Sequence, residues 1–172
     1  MGRVLFWGLT ALMAADYVYL VFFIEPALSA EAGGLPLFDL RPGGYSPAEA
    51  LAYLEALSVA GRDLYLERWF PADMLFLLLL SFFFFFALRH LNRVQPAFIQ
   101  MLGRVLTIGY AAFDIVENRR VRAMILEGAA ALNEQQALIA NTMTRFKFIL
   151  FFALVALLLM SLWRAWRHRA SL

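Results

Sequence analysis

Few residues in this chain of 172 have side chains able to do chemistry, and most of those that stand out are carboxylates. Asp16, Asp73, Asp114 and Glu117 stand within, or at the edge of, long apolar runs. An ionisable group there costs roughly 3 kcal/mol in a membrane helix and so needs a reason to be present. Arg145 and Lys147 stand at the start of another such run. Two carboxyl groups in unlike surroundings can divide the roles of general acid and general base between them.

Helical spacing sharpens this set. At about 100° per residue, Thr107, Tyr110, Asp114, Glu117 and Asn118 fall on one face, a polar stripe on an otherwise apolar helix. Arg62, Tyr65, Trp69 and Asp73 share a face if one helix runs through Pro71, where the backbone hydrogen-bond ladder is interrupted. Tyr19 follows Asp16 by about one turn, and Thr144 precedes Lys147 by three positions. The site expected from these patterns has Asp16, Asp114 and Glu117 as its acid–base groups. Asp73, Asn118 and Tyr110 are expected to bind the ligand, while Arg62, Lys147 and Arg145 hold an anionic headgroup.

Plainer readings stand beside each of these. Asp73 follows Pro71 in what reads as the first turn of a helix, where an acid suits the helix dipole. Glu117 and Asn118 mark where a span leaves the bilayer, and Lys147 can snorkel to the interface. Asp114 can form a structural ion pair with Lys147 or Arg145. Asp16 resists such treatment, because it lies about 12 Å from the outer end of its run at about 1.5 Å per residue.

Other chemistries lack their residues. The chain has no cysteine and only two histidines. Both His90 and His168 sit in basic surroundings without a carboxylate, which makes them poor metal ligands. No Ser-His-Asp set, zinc-protease motif, nucleotide-binding glycine loop or haem-ligating pair is found, so neither a metal nor a cofactor is expected.

The elements that must position these residues are membrane spans. Hydrophobic residues make up 63% of the chain and charged residues 16%, and mean hydropathy is +0.69. A soluble domain of this size could not hide so much apolar surface, and disorder requires the opposite composition. Four runs match the ~20 residues needed to cross a bilayer: about 4–24, 70–88, 98–116 and 146–163. An all-α integral membrane four-helix bundle is expected, as a single domain over residues 1–172. The 21-residue first run is too long for a signal-peptide core and carries an acid, so it reads as a span.

Segment 25–69 is too long for a plain connector. Residues 41–45 read as a turn, and Ser46-Pro47-Ala48-Glu49 as a capping box that opens an amphipathic helix. Its inner face is expected to carry Ala50, Leu51, Leu54, Leu57 and Ser58, with Tyr53 off it and Gly61 at its end. A second outer helix is expected over Arg119–Gln136. Gly8, Ala11 and Ala15 offer a small face for close helix packing. The run Phe82–Phe86 reads as lipid contact and core, with an aromatic-lined cavity as the sharper alternative.

Basic residues are nearly even on the two sides, but one set has no acids around it: Arg3, Arg89, Arg93, Arg104, Arg164, Arg167 and Arg169. That set marks the cytoplasmic side, which places both termini in the cytoplasm. Fourteen of the fifteen basic residues are Arg, in keeping with a bacterial inner membrane. Arg164, Trp166, Arg167 and Arg169 read as a headgroup anchor.

Three functions fit. The first is an outer-leaflet polar site that binds a lipid-like or isoprenoid molecule, as a binder or as an enzyme using carboxylate acid/base chemistry. A non-catalytic assembly or accessory protein is the second, and a small proton-coupled transporter acting as a homodimer is the third. The partners expected are a membrane lipid or amphiphilic small molecule and, in the third case, a second copy of the chain. Nucleic acid is not expected, because no basic face on a soluble module is visible.

Overall fold

A computed structural model describes residues 2–91 and 95–170, except for the side chains of 168–170. Arg93 and the side chains of His168 and Arg169 therefore lie outside the described residues. The chain is 88% helical, and four of its helices are long and apolar enough to cross a membrane. These are α1 (Arg3–Glu31), α3 (Val59–Leu91), α4 (Ala97–Glu127) and α5 (Glu134–Ala170). A shorter helix, α2 (Pro47–Ala56), lies between α1 and α3. Central to the bundle is α3, which packs against α1, α4 and α5.

Two of the long helices run straight through a proline. Pro26 in α1 and Pro71 in α3 are each preceded by a π-helical turn, Leu20–Ile24 and Tyr65–Trp69 respectively. Proline has no N–H, and its ring crowds the carbonyl four residues back, so the turn before it widens to the next hydrogen-bond register. The two widened turns pack against each other. In α3 this keeps Tyr65, Trp69 and Asp73 in one helix, so the break considered at Pro71 does not occur.

Local signals explain the other boundaries. The Ser46 hydroxyl accepts from Glu49 N at 3.2 Å, and Glu49 Oε2 accepts from Ser46 N at 2.7 Å, which closes the capping box of α2. Asn133 caps α5 in a similar way, accepting from Gln135 N at 2.8 Å. A helix over Arg119–Gln136 does not form: α4 stops at Glu127 because Gly128 takes φ +76°, and a methyl there would meet the Arg62 guanidinium. Gly61 does not end a helix either. It lies buried inside α3, where an added Cβ would stand 2.7 Å from both Glu31 and Leu57.

Packing corrects two further expectations. The buried face of α2 carries Ala50, Tyr53 and Leu54, whereas Leu51 is exposed, so the face is rotated toward Tyr53. Gly8, Ala11 and Ala15 are exposed, and a methyl added at Gly8 would meet nothing within 4 Å. Along the bundle the buried residues form two apolar cores. One contains Leu28, Phe38, Tyr53, Trp69, Met124 and Ala140; the other contains Leu77, Phe84, Leu88, Tyr110, Leu154 and Leu157.

Candidate functional site

A polar layer separates these two cores, and each of three helices contributes to it at the position where its own core residues change sides. In α3, Asp73 follows Ala72 of the first core and precedes Leu77 of the second. In α4, Asp114, Glu117 and Asn118 lie between Tyr110 and Val121, and in α5 Thr144 and Lys147 lie between Ala140 and Leu154. All six side chains are buried, Glu117 and Thr144 completely.

Lys147 is the hub. Its Nζ stands 2.5 Å from Glu117 Oε2 and 3.3 Å from Asp114 Oδ1, and it donates to the Asp39 backbone carbonyl at 3.4 Å. The Thr144 hydroxyl donates to Glu117 Oε1 at 2.5 Å. Asn118 Nδ2 donates to Asp73 Oδ2 at 2.7 Å and, more weakly, to Asp114 Oδ1 at 3.4 Å. Asn118 thus joins the carboxyl of α3 to the ion-paired set on α4 and α5.

The fourth carboxylate, Asp39, comes from the 3₁₀ turn Phe38–Leu40 between α1 and α2. Its Oδ2 accepts from Tyr65 OH at 2.6 Å and from Trp69 Nε1 at 3.1 Å. An aromatic cap surrounds it. The Phe38 ring lies 5.0 Å from Tyr45 and 4.7 Å from Tyr53, with the Arg41 guanidinium 5.5–5.6 Å from all three rings. Asn141 Oδ1 pins the cap to α5 by accepting from Tyr45 N at 2.9 Å. Burial pushes the Tyr45 phenol well above its ordinary range, and the Glu117 and Asp39 carboxylates add to this. Tyr53 is raised for the same reason, first by burial and then by Asp39. Both phenols therefore remain neutral hydrogen-bond donors at working pH.

Four buried carboxyl groups and one buried ammonium thus stand together, and the ammonium ion-pairs with two of the four, Glu117 and Asp114. Hydrogen-bonding capacity also goes unused here: Asp39 Oδ1, Asn118 Oδ1 and the Tyr45 and Tyr53 hydroxyls have no partner. Among the described residues no three of His, Cys, Asp and Glu are placed to hold a metal ion.

The structure therefore brings together Asp73, Asp114, Glu117, Asn118 and Lys147 from the sequence-derived set, with Tyr110 one turn below Asp114. It leaves three others apart. Asp16 is buried in α1, but no hydrogen bond or ion pair joins it to the layer, and its Oδ2 has no partner. Arg62 is half-buried against Gly128, and Arg145 is exposed beside Gly44. The ammonium of Lys147 faces carboxylates of its own chain. Asp39, Tyr65 and Trp69 complete the group. Asp39 was not among the candidates, although an acid inside Leu35-Pro36-Leu37-Phe38-Asp39-Leu40 is a sequence sign of burial.

A separate cavity of about 690 Å³ lies toward the other end of the bundle, lined by Phe6 and Trp7 of α1, Phe83 and Phe86 of α3, and Leu158 and Leu162 of α5. It is part of the same molecule but shares no residue with the polar layer. No family model, curated protein or solved structure matches this chain.

Proposed function

We propose that the chain is a membrane-embedded protein whose buried carboxylate–lysine layer binds a lipid-like or isoprenoid molecule and serves it by acid/base chemistry. The reading rests on the imbalance of four buried carboxyl groups against one ammonium. Neighbouring carboxyl groups beside one ammonium are groups that can pass a proton to a bound ligand and take it back. In this reading Asp114 and Glu117 exchange the proton, Lys147 stabilises the ionised partner, and Asn118 and Asp73 orient the pair. Asp16, on the neighbouring helix, is the second acid met by a ligand arriving between α1 and α3. In this reading the acid-free basic residues around the termini lie in the cytoplasm of a bacterium, the polar layer lies toward the outer leaflet, and α2 is an amphipathic cap on the outer surface.

A second reading has its own support. Lys147, Asn118 and Thr144 bond the carboxylates of α3 and α4 internally, and the aromatic cap closes over Asp39. In a non-catalytic assembly protein the same layer would lock α3, α4, α5 and the cap into one scaffold.

Lipids that co-purify with the chain in mild detergent, identified by mass spectrometry, separate the two. Wild type should enrich one lipid or isoprenoid class over the bulk membrane, and folded Asp73→Asn and Asp114→Asn variants should lose that enrichment. Identical lipid profiles in all three proteins would remove the binding reading and leave the scaffold.

A further inference from the structure

The cavity at the opposite end of the bundle has a different chemistry from the polar layer. Its floor is α3, through Phe83, Phe86 and Ala87, and its walls are α1 and α5. Phe6 stacks on Phe83 with ring centroids 5.9 Å apart and an angle of 23°, so the wall and floor are continuous aromatic surface. Arg3, Arg89 and His90 form its polar rim.

Charge at this end has one sign. From Met1 to Ala15, from Met74 to Phe113 and from Phe148 to Leu172 the sequence contains no Asp or Glu. Among the described residues neither Arg3 nor Arg89 makes a salt bridge, since the only two ion pairs both use Lys147. The rim cations thus face an apolar groove with no counter-charge from the protein. The groove falls within the ~300–1,000 Å³ usual for small-molecule sites. It opens where a span meets the headgroup level, which is where phosphate and hydrocarbon occur in one molecule.

We propose that this groove is a binding site for an anionic phospholipid of the surrounding leaflet. Its phosphate lies between Arg3 and Arg89, and an acyl chain runs along Phe83 and Phe86. The aromatic rings supply flat apolar contact without specificity for chain length, and the two arginines select the headgroup by charge. The site is independent of the polar layer and of the function proposed for it. Here the lipid is a resident ligand, and no bond is made or broken.

Native mass spectrometry of the purified chain, exchanged into micelles containing equal phosphatidylglycerol and phosphatidylcholine, tests this directly. Wild type should retain phosphatidylglycerol in preference. Arg3→Gln with Arg89→Gln should weaken that preference roughly 5-fold per arginine, about 25-fold together. Ala87→Trp fills the groove and should abolish retention with both arginines intact, which keeps the test decisive if the double variant folds poorly. Thermal unfolding confirms that the variants compared are folded. Equal retention of both lipids by wild type overturns the site. So does retention that survives Ala87→Trp, or cross-linking at Trp7 that shows a second copy of the chain occupying the groove.

Discussion

The two ends of this bundle treat charge in opposite ways. At the capped end, carboxylates are drawn into the interior and met by a lysine, an asparagine, a threonine and two aromatic donors. At the end carrying the termini, the interior is Leu and Phe, and charge stays on the rim as Arg3 and Arg89, which make no salt bridge among the described residues. The difference follows from what each connection supplies. Residues 32–58 fold back over α3 and α5 and bring Asp39, Tyr45 and Tyr53 into the interior, with Arg41 half-buried beside them. Only a short connection between α3 and α4 lies at the other end, and it brings no acid. Buried polar groups persist where a second layer of chain can satisfy them, and they are expelled to the surface where it cannot.

The comparison predicts that stability is charge-dependent at one end only. Lys147→Met should have the largest effect, a loss of about 3–5 kcal/mol, because it leaves Glu117 and Asp114 buried without their cation. Adding Glu117→Gln to Lys147→Met should recover part of the loss. Unfolding midpoints in detergent measure both, and a midpoint for Lys147→Met equal to wild type would dissolve the contrast between the two ends. Next in size is Tyr65→Phe, which removes the 2.6 Å donor to Asp39 Oδ2, leaves Trp69 Nε1 as its remaining donor, and should cost about 1–3 kcal/mol. The same experiment on Phe82, which is half exposed and far from any polar partner, should give a much smaller change.

A smaller effect tests the cap itself. Ser46→Ala removes the hydroxyl that caps α2 and should cost about 1 kcal/mol. Its pH dependence has a definite sign. The Ser46 backbone N–H and then its hydroxyl hold the Glu49 carboxylate below the usual range. A depressed folded-state value stabilises fully above the unfolded-state range, and that contribution disappears as pH falls through the folded-state value. The gap between wild type and Ser46→Ala should therefore narrow in acid, and a gap that widens would contradict the capping box. Smallest of all, Arg89→Gln should shift the unfolding midpoint by no more than the equivalent of about 0.5 kcal/mol, as for surface changes in general. A large loss there would mean that the basic end, too, relies on charge for its fold.

Residue spacing alone made a good part of the buried polar layer visible. The stripe Thr107, Tyr110, Asp114, Glu117 and Asn118 is visible because a helix repeats every 3.6 residues, and all five are buried. Lys147 and Thr144 were visible together for the same reason. Asp39 was not, because a loop has no period and its burial depends on what folds over it. Tyr53 was placed on the wrong face of α2 because a ten-residue helix has too few turns to fix its phase, and the side that becomes buried is the one Phe38 and Tyr65 present to it. Continuity through Pro71 needed the structure as well: whether a proline ends a helix or widens its preceding turn is settled by packing on both sides of it.

Composition and periodicity by themselves determined that the chain is helical, that four stretches are apolar enough to cross a membrane, and that several ionisable residues stand where apolar ones would be cheaper. These are properties of local segments, and solvent preference acts on each segment separately. Which of those residues meet was decided only by the tertiary structure. Asp73, Asp114, Glu117 and Lys147 come together with Asp39, while Asp16 stands apart. The reason is that pairing depends on the rotation of whole helices about their axes, and that rotation is chosen by the packing of two apolar cores far larger than the polar layer between them.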